Sequence, residues 1–458
     1  MLLETHKGNS PRLVLSAIEA ALGSVNPAQL IQNSVRMGRK LVIRGMDGRP
    51  FVCEKFDNAY VVGAGKATAQ MSNALCRILA DKVVGGAITV PYGQKSLQDR
   101  KYASVIQVKE ASHPIPDSQG VQGSKNILRT LSLASKNDVV FVLISGGGSA
   151  LMPLPAAGLR LADKKRMTLK LLKSGATIDE INVVRKHLSS IKGGQLAKYA
   201  GGARIISLVL SDVIGDALTS IASGPTSPDP STFADALAIV RKYSIADSSD
   251  PAFRHLLQGS EGLVEETPKP NSPLFKRVQN VIIGNNRLAC LGAANYLRLH
   301  GFRTTYLGSN FGGEARDLGS MLARRSYLLQ KSKRRAAVVL GGETIVTMKK
   351  SAGKGGRNQE AALSAAANFK GKHLAIACVG TDGIDGNSDA AGAIISDATI
   401  KIIREKNLNL ENYLCRHDSY HALRAAKSLI ITGFTGTNVN DISIACASPS
   451  SVSGHLQK

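Results

Sequence analysis

The chain of 458 residues contains no tryptophan, and its aromatic side chains together make up only 4% of it. Lysine and arginine are spread along the whole chain and are not interleaved with aromatic residues, as they are in many surfaces that bind nucleic acid. The formal net charge of +24 therefore fits the attraction of small anions better than a nucleic-acid surface. A non-catalytic nucleic-acid-binding protein is the weaker alternative.

Paired cysteines and long apolar runs are also missing. No CxxC pair occurs, which excludes the common zinc motifs and predicts free thiols in a reducing compartment. No apolar run reaches the roughly 18 residues of a membrane span, so we expect no membrane contact. We predict a cytoplasmic protein, and the basic first fifty residues leave a mitochondrial address as the alternative. The six scattered cysteines are Cys53, Cys76, Cys290, Cys378, Cys415 and Cys446.

The chain is too long for one ordinary hydrophobic core, so we expect two domains. Apolar runs that stop at glycine and continue into helical patterns predict a doubly wound α/β domain over residues 1–250. Residues 11–45 are predicted to be helical. Residues 246–275 are rich in Ser, Pro and charge and are predicted to be a linker or long excursion. A second α/β domain is predicted over residues 276–446.

Lys66 lies in the segment Gly63-Ala64-Gly65-Lys66-Ala67-Thr68, which follows a predicted strand and opens a predicted helix. The segment resembles the dinucleotide fingerprint GxGxxG, but Thr68 occupies the third glycine position, so the match to an NAD site is weak. Backbone N–H groups, the helix dipole and the ammonium group would nevertheless converge on an anion there. We predict that Gly65 and Lys66 bind an anionic ligand.

A second glycine loop, Ser145-Gly146-Gly147-Gly148-Ser149, follows the buried run 138–144. Three successive glycines favour a backbone with positive φ or one that a ligand approaches closely. The loop is predicted to bind a phosphate or carboxylate. The surrounding sequence does not match the GxSxG motif of serine hydrolases.

Other charged residues follow predicted strands or cluster near helices. Arg185, together with Lys186 or Lys192, could clamp an anion, and Asp212 could hold Mg²⁺ or accept a proton. Asn285 lies two residues after the predicted strand 281–283, behind Gly284, and is a further candidate binding residue. In the C-terminal half, two apolar runs end at Gly-Gly-Glu and Gly-Thr-Asp-Gly with a basic glycine loop between them. This constellation contains Glu343, Arg357, Asp382 and Asp385.

Taken in order, these segments resemble the type 2 glycerate kinase family, the glycerate 2-kinases with a C-terminal MOFRL domain. Two positions depart from the family pattern: Phe434 stands where proline is usual, and Asn387-Ser388 replaces Pro-Thr. The matching strings are VVGAGKA (61–67), SHPIPD (112–117), ISGGGSAL (144–151), INVVRKHLSSIKGGQLA (181–197), LSDVIGD (210–216), IASGPT (221–226), GKGGRNQE (353–360), GTDGIDG (380–386) and TGTNVND (435–441).

The resemblance implies a kinase that uses ATP and Mg²⁺ to phosphorylate D-glycerate at the 2-position. It implies a Rossmann-like N-terminal domain and a smaller α/β domain with the MOFRL region at about 335–446. The active site would lie in a cleft between the domains, and a homodimer is left open. The family's catalytic lysine, arginine and aspartate map to Lys66, Arg357 and Asp382.

The resemblance leaves the division of labour between two aspartates open. Asp212 or Asp382 would lie near the magnesium ion, and one of them would orient or deprotonate the attacking hydroxyl; we favour Asp382 for the latter. The main alternative function is an NAD(P)H-dependent hydroxypyruvate reductase. The incomplete fingerprint at residues 63–68 argues against it.

Overall fold

The computed structural model describes residues 9–94, 99–332, 334–348 and 353–449. It divides into two compact units. We call Pro27–Gly284 the N-terminal unit, and Met1–Asn26 together with Asn285–Lys458 the C-terminal unit. Each unit is built around its own six-stranded sheet.

The helices and strands alternate along most of the chain. The strands are β1 (Val35–Met37), β2 (Leu41–Arg44), β3 (Pro50–Cys53), β4 (Ala59–Ala64), β5 (Val83–Pro91), β6 (Ile106–Ala111), β7 (Val139–Ile144), β8 (Arg204–Leu210), β9 (Val278–Gly284), β10 (Arg303–Tyr306), β11 (Ala336–Gly342), β12 (Leu374–Gly380), β13 (Gly392–Ser396), β14 (Leu429–Ile430) and β15 (Asp441–Ala447). The helices are α1 (Asn9–Ser24), α2 (Pro27–Ser34), α3 (Thr68–Leu79), α4 (Ser118–Leu131), α5 (Gly148–Leu151), α6 (Leu161–Lys173), α7 (Ile178–His187), α8 (Phe233–Lys242), α9 (Pro251–Ser260), α10 (Asn286–Leu299), α11 (Ala315–Gln330), α12 (Arg357–Ala367), α13 (Asp397–Glu405), α14 (Leu410–Cys415) and α15 (Ser419–Ala425).

The large sheet of the N-terminal unit is entirely parallel, in the order β6-β5-β4-β7-β8-β9. Numbered from β4, this is the 3-2-1-4-5-6 order of a Rossmann fold. Strand β7 is buried at every position, which explains its uninterrupted run of apolar residues. The predicted Rossmann-like fold is confirmed.

The strand order places the glycine turns at one edge of this sheet. Parallel strands share a carboxyl edge, and the order of connection reverses between β4 and β7. Ligands of open α/β sheets bind outside the carboxyl ends at such a switch point. The turns after β4, β7 and β8 all lie along this edge.

One prediction for the N-terminal unit is wrong, and another is decided between its alternatives. The helical prediction to residue 45 fails after α2, because residues 35–53 form the small antiparallel sheet β1-β2-β3. Residues 246–275 are a long excursion of the folded unit and not a linker, since they contain α9, whose buried residues Phe253 and Leu256 pack with α6, α7 and α8 in a separate hydrophobic cluster. This segment is part of the folded unit because its apolar residues, although few, recur on one helix face.

The C-terminal unit contains a mixed sheet in the order β10-β11-β15-β12-β13-β14. Strand β15 lies between β11 and β12 and is antiparallel to both. The carboxyl ends of β11 and β12 therefore meet the amino end of β15 at one edge. Helices α11 and α12 pack closely, since Gly319 allows the two backbones to approach; a Cβ there would lie 2.1 Å from the carbonyl oxygen of Ala361.

The predicted domains ended at residue 250 and began at residue 276, whereas the two units of the structure divide the chain after Asn26 and after Gly284. Strand β9 pairs with β8 in the first sheet, so the N-terminal unit extends to Gly284. Helix α1 belongs to the C-terminal unit and packs against α10. Gly292 permits this contact, because a Cβ there would lie 2.1 Å from the hydroxyl of Ser24.

No single helix among the described residues has the length and apolar character to cross a membrane. One bent pair, Ser10–Ser24 with Pro27–Ser34, meets the criterion by length and composition alone.

The six cysteines are free thiols, as predicted, and all except Cys415 are buried. Burial raises the pKa of Cys378 to about 12. Such thiols are structural rather than reactive.

Candidate active site

The Lys66 turn and the glycine loop after β7 form one hydrogen-bonded structure in the N-terminal unit. The backbone N–H of Lys66 donates to the carbonyl of Gly146 at 2.9 Å, and that of Ala67 donates to the hydroxyl of Ser145 at 3.0 Å. Both segments sit at the switch point of the sheet. Two motifs that are about 80 residues apart in sequence are thus hydrogen-bonded to each other at one end of the sheet.

Gly65 is required by this close packing. Its φ is +148°, and a Cβ there would lie 2.1 Å from the hydroxyl oxygen of Ser145 and 2.7 Å from its carbonyl oxygen. Gly147 has φ +85°, with the ring of His113 beside it. The sequence predicts ligand approach or positive φ for the glycines of the 145–149 loop, and Gly147 has positive φ. Gly65 belongs to the neighbouring turn, where crowding against Ser145 requires a glycine.

Lys192 lies next to the same loop. Its ammonium nitrogen donates to the carbonyl and hydroxyl of Ser149, at 3.1 and 3.0 Å, and to the carbonyl of Ala222 at 3.1 Å. The side chain is 1% exposed. Burial, together with the charges of Lys164 and Arg185, holds the pKa of Lys192 well below its usual range. The structure therefore brings together two residues that the sequence indicated separately, Lys192 and Ser149.

Arg185 and Lys164 extend this basic region. Arg185 lies on α7 and is half-buried, and Lys164 lies on α6 with 6% exposure. Burial, followed by the nearby Arg185 charge, lowers the pKa of Lys164 to about 7. We did not predict Lys164, because it stands in a run of basic residues that looks like an ordinary solvated helix face.

Lys186 and His187 have structural partners instead. Lys186 pairs with the buried carboxylate of Asp229 at 3.2 Å. His187 is held by the carbonyl of Val183 and the carboxylate of Glu266. Lys186 is thus occupied by Asp229, and an anion clamp of Arg185 with Lys192 stays a prediction.

Asp212 follows β8 at the same carboxyl edge and is half-buried. Within the described ranges, no group of three or more His, Cys, Asp or Glu side chains could hold a metal ion by itself. Mg²⁺ that arrives with a nucleotide needs only one or two protein carboxylates, because phosphates and water supply the other ligands. Asp212 and the nearby Asp216 fit that requirement.

The C-terminal unit has its own polar edge where β11, β15 and β12 meet. Asp441, the first residue of β15, is paired with Gly342 on one side and Gly380 on the other. Glu343 directly follows the end of β11, and Asp382 follows the end of β12 after one intervening residue. The topology thus explains why the acids of three separate motifs come together.

Arg357 is anchored at this edge by two carboxylates. Its Nε and Nη2 donate to the two oxygens of Asp441 at 2.6 and 3.1 Å, and its Nη1 donates to Glu343 at 2.6 Å. Asp441 is 6% exposed, whereas the Glu343 side chain is 44% exposed. Burial outweighs the charge of Arg357 and raises the pKa of Asp441 to about 6.

Asp385 has a capping role at the start of α12. Its carboxylate accepts from the backbone N–H groups of Asn358 and Gln359 at 3.1 and 2.9 Å. The same oxygens also accept from both side-chain amides. Burial raises the pKa of Asp385. These bonds orient the first turn of α12 and therefore Arg357, which is its first residue.

Asp382 and Asn285 are placed at strand ends, as predicted. Asp382 is half-buried, and its Oδ1 accepts from the N–H of Ile384 at 3.1 Å. Asn285 caps α10 through an oxygen that accepts from the N–H of Leu288 at 3.2 Å. Capping occupies this oxygen, and a binding role for Asn285 stays a prediction.

The two departures from the family pattern have different surroundings. Asn387 accepts from the N–H of Gly355 at 2.8 Å, and Ser388 accepts from the amide of Gln359 at 2.7 Å. Both side chains therefore support the loop before Arg357. Phe434 is 67% exposed, and nothing in the described structure explains its presence.

Sequence reasoning missed Asp441 as the main partner of Arg357, although it ends the string TGTNVND. It also missed Asn182 and Ser223, whose side chains bond each other at 3.2 Å beside Ser149. Asp441 had a usable signal, an acidic residue directly before a buried strand. The predicted cleft between the domains stays a prediction.

Comparisons with known proteins agree with the motif order. Residues 13–258 match a family described as a domain of unknown function (DUF4147), and residues 336–441 match the MOFRL family. A glycerate 2-kinase from Pyrococcus horikoshii is 42% identical over 439 residues, covering 95% of this chain and 96% of that protein.

Two further relatives bear on the function. The solved structure of a glycerate kinase from Thermotoga maritima has 36% identity and a TM-score of 0.82, covering 95% of this chain and 99% of that one. A chain from Agrobacterium vitis with the name "Putative hydroxypyruvate reductase" is 41% identical over 388 residues, covering 83% of this chain and 97% of that one. With these matches over nearly its whole length, the chain belongs to the type 2 glycerate kinase family.

Proposed function

We propose that this protein transfers the γ-phosphoryl group of ATP to the 2-hydroxyl of D-glycerate, with Mg²⁺ on the ATP phosphates. The observation that carries the proposal is the Lys66 turn, which is bonded to the 145–149 loop at the switch point of a Rossmann-ordered sheet. The family's lysine motif thus occupies the position where such sheets bind phosphorylated ligands. The name of the Pyrococcus relative, a glycerate 2-kinase, supports glycerate as the substrate and the 2-hydroxyl as the position of phosphorylation.

In the N-terminal unit, Lys66 and the loop Ser145–Ser149 bind phosphate or carboxylate oxygens. Lys66 adds an ammonium group at the start of α3, where the helix dipole also favours negative charge. Gly65 holds the turn in the conformation that places Lys66 there. Arg185 and Lys192 contribute further positive charge beside Ser149.

In the C-terminal unit, Arg357 stabilises the charge on the transferring phosphoryl group. A guanidinium has five N–H donors, and three of them reach Asp441 and Glu343. Asp441 is the buried anchor, so the fork keeps its orientation. The Glu343 side chain is exposed. A ligand oxygen can therefore take its place as the acceptor of the Arg357 Nη1 hydrogen bond, because the released Glu343 carboxylate would be in contact with water and would not be a buried unpaired charge.

Asp382 orients the glycerate hydroxyl and accepts its proton, and Asp212 would hold the magnesium ion. When bound, Mg²⁺ would neutralise charge on the phosphates. The assignment between the two aspartates predicts different losses. Asp382→Asn should lower kcat at saturating Mg²⁺, and Asp212→Asn should be partly rescued by raising the Mg²⁺ concentration.

The test of the proposed function is ³¹P NMR of the product formed from ATP, Mg²⁺ and D-glycerate. We expect the resonance of 2-phosphoglycerate. A 3-phosphoglycerate product would correct the position, and the absence of any phosphorylated glycerate would show the proposed function to be wrong.

A hydroxypyruvate reductase is the second candidate, and the name of the Agrobacterium relative favours it. In the structure, Thr68 fills the third glycine position of the fingerprint and is fully buried, which differs from the NAD pattern. Incubation with NADH and hydroxypyruvate separates the two candidates. We expect no loss of NADH absorbance.

A further inference from the structure

Three basic side chains of the N-terminal unit surround the region beside Ser149. Lys192 is 1% exposed and Lys164 is 6% exposed, and Arg185 is half-buried. All three hydrogen bonds of the Lys192 ammonium group go to neutral oxygens, of Ser149 and Ala222. The Lys164 nitrogen lies 3.5 Å from the carbonyl of Pro153. We call Lys164, Arg185 and Lys192 the basic cluster.

In the part of the chain that the structure describes, no member of the basic cluster forms an ion pair with a carboxylate. The neighbouring Lys186 shows the usual solution for a buried lysine, since its partner is the buried carboxylate of Asp229 at 3.2 Å. Burying several like charges without a counter-charge is strongly unfavourable. The arrangement therefore favours an anion that is not part of the protein.

The electrostatics of the cluster agree with this interpretation. Burial is the main cause that lowers the pKa of each of its three members. The charges of Lys164 and Arg185 lower the pKa of Lys192 further. A negative charge that entered the cluster would oppose these effects and favour the ammonium form of Lys164, whose pKa is about 7.

The charged groups nearby are engaged elsewhere. On α6, Asp163 pairs with Arg166, and on α7, Lys186 pairs with Asp229 and His187 with Glu266. Residues 145–151 and 221–224, which also pack against Lys192, contribute only serine, glycine, alanine, isoleucine and leucine side chains. The titratable groups that act on Lys192 are thus Lys164 and Arg185.

The backbone beside the cluster is strained. Ala222 and Ser223 both have positive φ, +51° and +60°, although neither is glycine. This conformation directs the Ala222 carbonyl to Lys192 and the Ser223 hydroxyl to Ser149. Strain of about 1–3 kcal/mol per residue is characteristic of functional sites. It is an observation independent of the charges.

We propose that Lys164, Arg185 and Lys192 bind one oxyanion group of a substrate, a carboxylate or a phosphate, and that the protein takes up a proton as this group binds. The identity of the ligand as a substrate rests on the proposed function. Lys164, with a pKa of about 7 in the fold, is the group that receives the proton. The hydrogen bonds of Lys192 to Ser149 and Ala222 orient that residue before the anion arrives.

Calorimetric titration of the full chain with D-glycerate, ATP and inorganic phosphate tests the proposal. Each ligand is titrated near neutral pH in two phosphate-free buffers that differ in ionisation enthalpy. We expect uptake of up to about one proton with the ligand that occupies the cluster. Uptake with glycerate alone identifies the carboxylate as that group, and uptake with ATP and phosphate identifies a phosphate.

The variants Lys192→Met and Lys164→Met should each weaken binding of that ligand by about 10- to 100-fold, as expected for a lost charge-assisted hydrogen bond. Lys164→Met should also abolish the proton uptake. Lys165→Met, on the same helix but at an exposed position, is the matched control and should leave affinity and proton uptake unchanged.

Equal heats in the two buffers for all three ligands would overturn the proposal, and this measurement needs no variant. Wild-type affinity in a folded Lys192→Met protein would overturn it as well. These outcomes are compatible with normal phosphorylation of glycerate. Conversely, proton-linked binding of inorganic phosphate by a protein that does not phosphorylate glycerate would support the anion site and refute the proposed function.

Discussion

Replacing Arg357 by alanine should have separable effects on stability and on catalysis. The buried carboxylate of Asp441 would lose its two bonds to the guanidinium and retain the amide of Asn358 at 3.0 Å. Removing one partner of a buried ion pair destabilises a folded protein by about 3–5 kcal/mol, because the other charge stays buried without a counter-charge. Loss of a cation that stabilises the transferring phosphoryl group should lower kcat by roughly 10²–10³-fold.

The stability loss should depend on pH. Burial already raises the pKa of Asp441 to about 6 while Arg357 lowers it, so the pKa rises further in Arg357→Ala. An acid with a raised pKa binds its proton more tightly in the folded state, and the stability from this proton is lost as the pH rises through the folded pKa. In the wild type, this decrease in the free energy of unfolding is complete near pH 6. In Arg357→Ala, the free energy of unfolding should continue to decrease above pH 6, by up to about 1.4 kcal/mol per pH unit.

Urea unfolding at about pH 6 and about pH 8 measures this difference. The free energy of unfolding of Arg357→Ala should fall below the wild-type value by about 1–3 kcal/mol more at the higher pH. In the double variant Arg357→Ala/Asp441→Asn, the buried group carries no charge, so this extra pH dependence should disappear. Catalysis should remain low in both proteins.

Arg316→Ala is the matched control in the same unit. Arg316 donates to the buried carboxylate of Glu360 at 2.8 Å, so its removal should also destabilise the protein. The kcat of the folded fraction should stay near the wild-type value. Near-normal kcat in Arg357→Ala would refute the catalytic assignment, and a pH-independent stability loss would refute the role given to Asp441.

Three other variants test the N-terminal unit. Lys66→Met should lower kcat/KM by roughly 10²-fold or more with little change in melting temperature, because Lys66 is only half-buried. Gly65→Ala should destabilise the protein by at least about 2 kcal/mol in thermal unfolding, since its Cβ would meet Ser145 at 2.1 Å and its φ is +148°; unchanged stability would contradict the packing described here. Lys164 has a pKa of about 7 in the folded protein and of about 10.5 in the unfolded chain. Between these pH values the unfolded chain binds more protons, so the wild-type free energy of unfolding rises with pH. In Lys164→Met this rise should be absent.

The buried strands were predictable because each is a short apolar run that stops at glycine or at a serine. Strands β4, β7, β8, β11 and β12 all lie where the sequence indicates them. Strands β1 and β2 were not predicted, because the helical period of the preceding residues continues into them. A short apolar run cannot be assigned to helix or strand by periodicity alone.

The sequence indicated candidate site residues but not the contacts between them. Lys66, Ser145 and Arg357 could be chosen because glycine, serine and basic residues follow strands in a recognisable order. The bond from Ala67 to Ser145 could not, because it depends on β4 lying next to β7. Asp441 was overlooked as the partner of Arg357 for the same reason.

By itself, the sequence determined the α/β class, the glycine turns at strand ends and the family that their order indicates. These features are local, since apolar runs, glycines and charges close in sequence carry them. Only the tertiary structure decided that α1 belongs to the C-terminal unit, that β15 places Asp441 between two strand ends, and that Lys164 joins Arg185 and Lys192. Such contacts join residues that are distant in sequence, and strand order and helix packing determine which of them meet.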